Sequence, residues 1–417
     1  MKIHITHSDY FWHLRMKSSE THPIYNRQFA LLCLSSLLFS ASFNMMIPEL
    51  PQYLSSLGGA GYKGLIIALF TLTAGISRPF SGKLTDTIGR VPVMAVGSIV
   101  CVICGILYPL LTTVSGFLFL RLIHGFSTGF KPTATSAYVA DIVPISRWGE
   151  AMGIHGLAFS TGMAVGPAIG SAITTYYSIN VLFYSSSVLA LLSIVIVLNM
   201  KETVRHKLKF RKSLLKISRA EIIEWRVFPS ALVTLLSYIS YGALLTLVPD
   251  WSTYLGITNK GLFFMTFTIS SILIRFITGK VSDKYGRIVV IKVSLLLISI
   301  SLILIGLANS VLTLLMASAL YGVGTGILSP ANNAWTADLS HPEHRGKAVA
   351  TMYIALEAGI GLGALFSGWI FKDVISRVPM LFFISAGSAF SALLYLYFSP
   401  KTSLNPISGS AELINKN

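Results

Sequence analysis

Between Ile179 and Met200 the chain runs for twenty-two residues without one charged side chain, and between Phe29 and Met46 for another eighteen. A helix of ~20 apolar residues crosses the hydrocarbon core of a bilayer, where no water is present to satisfy backbone amides and a helix satisfies them internally. Blocks of this kind recur along all 417 residues, and composition agrees: 53% of residues are hydrophobic, 12% are charged, and mean hydropathy is +0.70. A soluble chain carries about a quarter charged residues. The reading is an all-α membrane protein, and lipid is the first partner it implies.

Twelve spans are predicted, near residues 29–48, 61–81, 92–113, 116–140, 152–175, 179–200, 227–249, 261–279, 288–308, 311–337, 347–371 and 379–398. The net charge of +16 is spread unevenly among the connections. Lys2, Arg15, Lys17, Arg27, Lys83, Arg90, Arg147, Arg345 and Lys347 fall on one side with the central loop, whereas Lys63, Lys260, Lys372 and Arg377 are all that the other side holds. Lysine and arginine excess marks cytoplasmic loops, so both termini are expected in the cytoplasm of a cell whose inner membrane carries the protein. The predicted organisation is a tail over 1–28, a six-helix bundle over 29–200, a basic linker over 201–226, a second six-helix bundle over 227–399 and a tail over 400–417. The linker's basic residues suit anionic headgroups; no aromatic stacking pattern accompanies them, and no nucleic-acid partner is expected.

Cys101 and Cys104 form a CxxC spacing inside an apolar run, without metal-ligand neighbours, and read as small packing residues along with Cys33. The polar leader holds His4, His7, His13 and His22 and has no apolar core of a secretory signal, so no cleavage is expected, and Met16 offers a second start. No metal site or cofactor is expected.

The halves repeat one another. At a constant offset of 197, Arg78 matches Arg275, Asp86 matches Asp283, Arg90 matches Arg287, Gly125 matches Gly322, Asp141 matches Asp338 and Gly166 matches Gly363. Six spans per half is an even number, so both halves share one orientation, related by an axis along the membrane normal, with a substrate site between them near the midplane. The loops Gly82-Lys-Leu-Thr-Asp86-Thr-Ile-Gly89-Arg90 and Gly279-Lys-Val-Ser-Asp283-Lys-Tyr-Gly286-Arg287 stand at equivalent positions.

These paired loops resemble the signature between helices two and three of the major facilitator superfamily and its weaker copy between helices eight and nine. The resemblance implies twelve transmembrane helices in two pseudo-symmetric six-helix bundles. It also implies a conformational latch of Gly82, Asp86, Gly89, Arg90, Asp283 and Arg287. In that latch Asp86 faces the first turn of helix eleven, near Gly346 to Ala350, in the outward-facing state and releases it on inward opening. A purely topological turn is the alternative. Arg121 followed by Gly125 resembles the family's helix-four motif. Such an arginine either faces the bundle interior and influences a nearby protonation, for which His124 is a candidate, or snorkels to the outer headgroups. Gly162-Met-Ala-Val-Gly166-Pro167-Ala-Ile-Gly170 resembles the helix-five hinge signature that the superfamily associates with proton-coupled exporters; a packing seam without bearing on direction is the alternative.

Lys131 in helix four and Glu357 in helix eleven are charges the repeat does not duplicate, since it puts Leu328 and Ser160 at their equivalents. Lys131 is expected to bind an anionic or polar substrate group and Glu357 to carry a coupling proton or pair with the substrate; a fixed salt bridge is the alternative. Arg78 and Arg275, taken to lie near the cytoplasmic helix ends, read as structural. Glu49 and Asp250, beside Pro48, Pro51 and Pro249, read as helix terminators, and Asn44, Tyr241 and Trp335 as possible cavity lining. The function expected is secondary active transport of a small molecule, resembling the drug:proton antiporter branch: efflux driven by protons, by one chain acting alone. Import of a sugar, organic acid or siderophore on the same fold is the alternative. A membrane-embedded enzyme is disfavoured because His124 and His155 have no evident carboxylate partner.

Overall fold

The computed structural model describes residues 26–144, 147–204, 207–216, 223–341 and 345–399, apart from the side chains of 212, 279, 280, 283 and 345. The leader histidines, Met16 and the C-terminal tail lie outside these residues. Among the described residues twelve long helices are present. The first six are α1 Arg27–Asn44, α2 Lys63–Thr87, α3 Arg90–Leu107, α4 Val114–Ile142, α5 Trp148–Tyr176 and α6 Ile179–Leu198. The second six are α7 Phe228–Tyr254, α8 Gly261–Tyr285, α9 Arg287–Gly306, α10 Val311–Leu339, α11 Arg345–Phe371 and α12 Val378–Phe398. A short helix, Leu50–Ser56, follows α1. Ten of the twelve are long and apolar enough to cross a membrane by length and composition alone. The other two carry polar residues that lower that score: Arg27, Gln28 and Asn44 at the ends of α1, and Arg121, His124 and Lys131 within α4.

Local chemistry marks where these helices begin and bend. The side chain of Asn26 accepts from Phe29 N at the start of α1, and Thr113 accepts from Gly116 N at the start of α4. Ser310, the repeat equivalent of Thr113, forms a capping box with Thr313 at the start of α10. Prolines lie inside α2, α4, α5, α7 and α10, each removing one ladder hydrogen bond. Several helices extend past the predicted spans, and the extensions matter. α2 continues to Thr87 and α8 to Tyr285, so Asp86 and Asp283 occupy last helical turns rather than loops.

The packing repeats as the offset of 197 demands. In the first half α4 lies against α2 and α3, and α1 and α3 each pack on α6, with α5 on α1; in the second half α10 lies against α8 and α9, α7 and α9 pack on α12, and α11 lies on α7. Between halves the principal contacts are α2 with α11 and α8 with α5, and exchanging the halves turns one pair into the other. The structure is therefore two like bundles about a pseudo-two-fold axis.

Glycine makes the closest of these approaches possible. A Cβ on Gly162, Gly166 or Gly170 would meet the α1 backbone at Leu37, Ala41 or Met45, and one on Gly359 or Gly363 would meet α7 at Leu235 or Ile239. Gly162, Gly166 and Gly170 of the expected helix-five hinge thus line a backbone-to-backbone seam of α5 on α1, and Gly359 and Gly363 line a similar one of α11 on α7.

Candidate functional site

Charges that cross between the halves define the site, and they lie at two depths. The end that carries Asp86 and Asp141 is here termed the motif end, and the opposite one the far end. At the far end, Lys63 Nζ bonds Asp250 Oδ1 at 2.9 Å and Asp373 Oδ1 at 2.5 Å. Lys260, which stands 197 residues after Lys63, bonds Glu49 Oε2 at 3.1 Å and also Gln52 Oε1. Ser171 Oγ donates to the second Glu49 oxygen at 2.7 Å and accepts from Lys260 N at 3.0 Å. A lysine at the start of α2 holds an acid at the end of α7, and a lysine at the start of α8 holds an acid beyond the end of α1.

Both lysines are buried, with side chains 3% and 9% exposed, so these pairs seal the far end rather than decorate it. Gly64 meets the α11 backbone at Ala364 and Gly368, and Gly261 meets Pro167 of α5, so the helices touch between the two pairs. Lys372 and Asp373 have φ of 46° and 60°. Left-handed conformation at two successive non-glycine residues is strained, and here it presents the Asp373 carboxylate to Lys63. Glu49 and Asp250 are therefore more than helix terminators. Their partners are remote in sequence, and the one available signal was that Lys63 and Lys260 share the repeat register.

Below this seal, Asn44, Ile47, Met163, Pro167, Tyr241, Leu245, Phe264, Phe267 and Thr268 line a small cavity between α1, α5, α7 and α8. Asn44 and Tyr241 are thus cavity-lining as expected, whereas Trp335 is buried within the second bundle.

Deeper still, Arg78 Nη2 bonds Glu357 Oε1 at 2.6 Å across α2 and α11, and its guanidinium lies 4.9 Å from the centre of the Tyr353 ring. Arg78 Nε is buried without a partner. On the other side of the axis, Arg275 Nη1 donates to Ser160 Oγ at 3.2 Å, across α8 and α5. Ser160 is the repeat equivalent of Glu357, so the two arginines reach across at matching positions, one to a carboxylate and one to a hydroxyl. Both lie nine or ten residues from the motif-end terminus of a 25-residue helix. At ~1.5 Å per residue that is ~14 Å from the helix end. They stand three and four residues inside the ends of the predicted spans 61–81 and 261–279, and α2 and α8 continue past those spans to Thr87 and Tyr285.

Lys131 is placed elsewhere than expected. Its ammonium lies inside the first bundle, 2.8 Å from Ser35 Oγ, 2.9 Å from Ser98 Oγ, bonded also to Ser193 Oγ, and 4.8 Å from the centre of the Phe39 ring. It forms no salt bridge with Glu357 and does not line the space between halves, because position 131 of α4 faces α1, α3 and α6. Arg121 is 2% exposed, donates from Nε to Ile66 O at 2.9 Å and sits 4.6 Å from the centre of the Phe70 ring, so it faces the interior and does not snorkel. Nearby His124 bonds Tyr108 Oη at 3.1 Å and Cys101 Sγ at 3.3 Å, and His155 bonds Ser36 Oγ at 2.9 Å. Cys101 and Cys104 are free and buried.

At the motif end, Arg90 Nη1 bonds Asp86 at 2.7 Å and its Nε bonds Asp141 at 3.0 Å; the repeat gives Arg287 Nε to Asp338 at 3.3 Å. Gly89 has φ 132°, and a Cβ there would meet the Glu202 carboxylate, which accepts from Arg90 N at 3.0 Å and Val91 N at 3.2 Å at the positive end of α3. The linker is thereby pinned to this loop. Gly286 repeats the positive φ, at 88°. A Cβ on Gly82 would meet nothing within 4 Å, so close packing does not require glycine there. Asp86 is 71% exposed, and among the described residues no bond joins it to α11. The side chain of Asp283 lies outside the described residues.

Two bundles of six membrane-length helices, related by a two-fold axis and joined by charge pairs that bury ions between them, define a polytopic membrane transporter. The family model of the Major Facilitator Superfamily matches residues 32–231 and again 230–415. The chain belongs to that family of transport proteins. It is 30% identical over 313 residues to the multi-drug resistance efflux pump PmrA of Streptococcus pneumoniae, covering 71% of this chain and 77% of the pump. It is 25% identical over 380 residues to the quinolone resistance protein NorA of Staphylococcus aureus, covering 87% of this chain and 95% of that one. Among solved structures, a D-xylose-proton symporter superposes with TM-score 0.72 at 16% identity, over 90% of this chain and 98% of the symporter. That likeness concerns the fold alone, and it shows that the fold serves an importer too.

Proposed function

We propose that this transporter exports a small molecule from the cytoplasm across the inner membrane in exchange for protons, by alternating access, with both termini on the cytoplasmic side. The observation that carries the reading is the Arg78–Glu357 pair. Glu357 is the one acid among the described residues at mid-depth, and it bonds the opposite half at 2.6 Å. An intramembrane carboxylate is costly unless paired, so its protonation and its grip on Arg78 exclude one another. Adding a proton removes the attraction between α2 and α11; losing it restores the clamp.

The far-end seal and the unlatched, exposed Asp86 fit an inward-open state in which Glu357 is ionised. Rocking the bundles about the mid-depth site would break the Lys63 and Lys260 pairs and bring Asp86 towards the first turn of α11. The membrane potential contributes ~2.3 kcal/mol per charge per 100 mV to inward proton movement. Export is favoured over import by the names of the relatives in PmrA and NorA and by the Gly162–Gly170 signature. In proteoliposomes with an imposed proton gradient, Glu357→Gln is expected to lose uphill transport at least tenfold while retaining gradient-free exchange of the same compound. Wild-type uphill transport in that variant would refute the coupling role. A deletion strain that becomes sensitive to a toxic compound supports export, and one that fails to grow on a nutrient supports import.

A further inference from the structure

We infer that Arg275 is the recognition point for an anionic group, a carboxylate or its equivalent, on the transported molecule. The inference rests on the reading that the substrate binds between the halves, and it adds the substrate's charge class. The repeat supplies the argument. Arg78 finds a carboxylate at position 357, whereas Arg275, its symmetry mate, finds at the equivalent position 160 only the hydroxyl of a buried serine. No described carboxylate forms an ion pair with Arg275.

Its location shows where a counter-charge can come from. Positions 268, 271, 278 and 282 of α8 form the buried face of the helix, and Arg275 lies on that same face, yet it is exposed. The exposure is therefore towards the space between bundles, with the lipid-facing Leu273, Phe276 and Ile277 on another side. The far end is sealed by Lys63 and Lys260, so this space is reached from the motif end. Tyr238 and Tyr353 stand near enough to interact with the guanidinium.

The surrounding field has the same sign. Besides Arg275, the described cations at mid-depth are Arg78 and Lys131, and Glu357 is the acid that opposes them. A guanidinium binds a carboxylate through two parallel N–H bonds, and such a bond inside a protein is worth far more than in water. The tyrosines add apolar faces and hydroxyl donors, which suit an aromatic acid.

The test uses the full-length purified chain without any gradient, and reads the binding of 2-naphthoate, 2-naphthamide and methyl 2-naphthoate. Hydrogen bonds to a charged group contribute enough for about a tenfold preference or more. Naphthoate is expected to bind at least tenfold tighter than the amide or the ester. Arg275→Gln should abolish that preference without weakening the amide. Ser160→Glu, which supplies the missing carboxylate internally, should abolish it too, and its folded state is checked by unchanged amide affinity. Naphthoate that binds no tighter than the amide, or a preference that survives Arg275→Gln, overturns the inference. Arg275-dependent acid binding without proton-driven export would instead refute the efflux reading and leave this inference standing.

Discussion

At the residue scale, the decisive contrast is between Glu357, whose charge is shared across the halves, and Lys131, whose charge is enclosed in one. Breaking a buried pair by removing one partner costs ~3–5 kcal/mol, because the other charge is left alone. Arg78→Ala and Glu357→Ala are each expected to destabilise the chain on that scale in detergent denaturation, and the double variant by clearly less than the sum. Full additivity in that cycle would show that the two side chains do not interact. For Lys131 the partners are hydroxyls, so an apolar replacement of similar volume loses little. Lys131→Met is expected to retain ligand binding between the halves and a melting temperature no lower than that of the parent. Neither environment was legible in the sequence. Both residues are charges in apolar runs that the repeat does not duplicate, and only the facing of α4 towards α1, α3 and α6 separates them. Arg78 and Arg275 were in plain view as a matched pair, but their partners on α11 and α5 were not, because spacing does not say which helix lies opposite.

At the scale of elements, the glycine seam on α5 gives a prediction with a built-in control. A methyl group on Gly170 would collide with the α1 backbone at Met45, and overpacking of this kind costs ~1–3 kcal/mol. Gly153, on the same helix, is exposed and has nothing within 4 Å of a built Cβ, so alanine there gains helix propensity of up to about 1 kcal/mol. Gly170→Ala is expected to lower the melting temperature and Gly153→Ala to hold or raise it; equal effects would remove the seam from the account. The glycine spacing was legible, and so was the matching of Gly166 with Gly363, because small residues at every fourth position form one stripe on a helix. Which helix that stripe touches was not legible, since spacing carries no information about the partner. The pairing of Arg90 with Asp141 needed α4 to run two residues beyond its predicted span, which polar residues at a helix end conceal.

At the scale of the whole molecule, the repeat of 197 residues was the most legible feature, and the helix contacts obey it in every principal pair. The two lysines that seal the far end obey it as well, although their acids do not. Glu49 and Asp250 come from equivalent helix ends but from different repeat positions, so a register argument alone could not find them. On the proposed reading, two halves that touch through α2 with α11 and α5 with α8, and are pinned by charge at one end, rock about the mid-depth arginines. Spin-label distances measured at both ends of the reconstituted chain test that directly. The exposed pair Tyr62 and Tyr254 reports the far end, and the exposed pair Trp148 and Tyr285 reports the motif end. As pH or bound ligand shifts the population, the far-end distance is expected to lengthen while the motif-end distance shortens. Distances that rise and fall together, or a far end that opens while the motif end stays fixed, would contradict alternating access about this site.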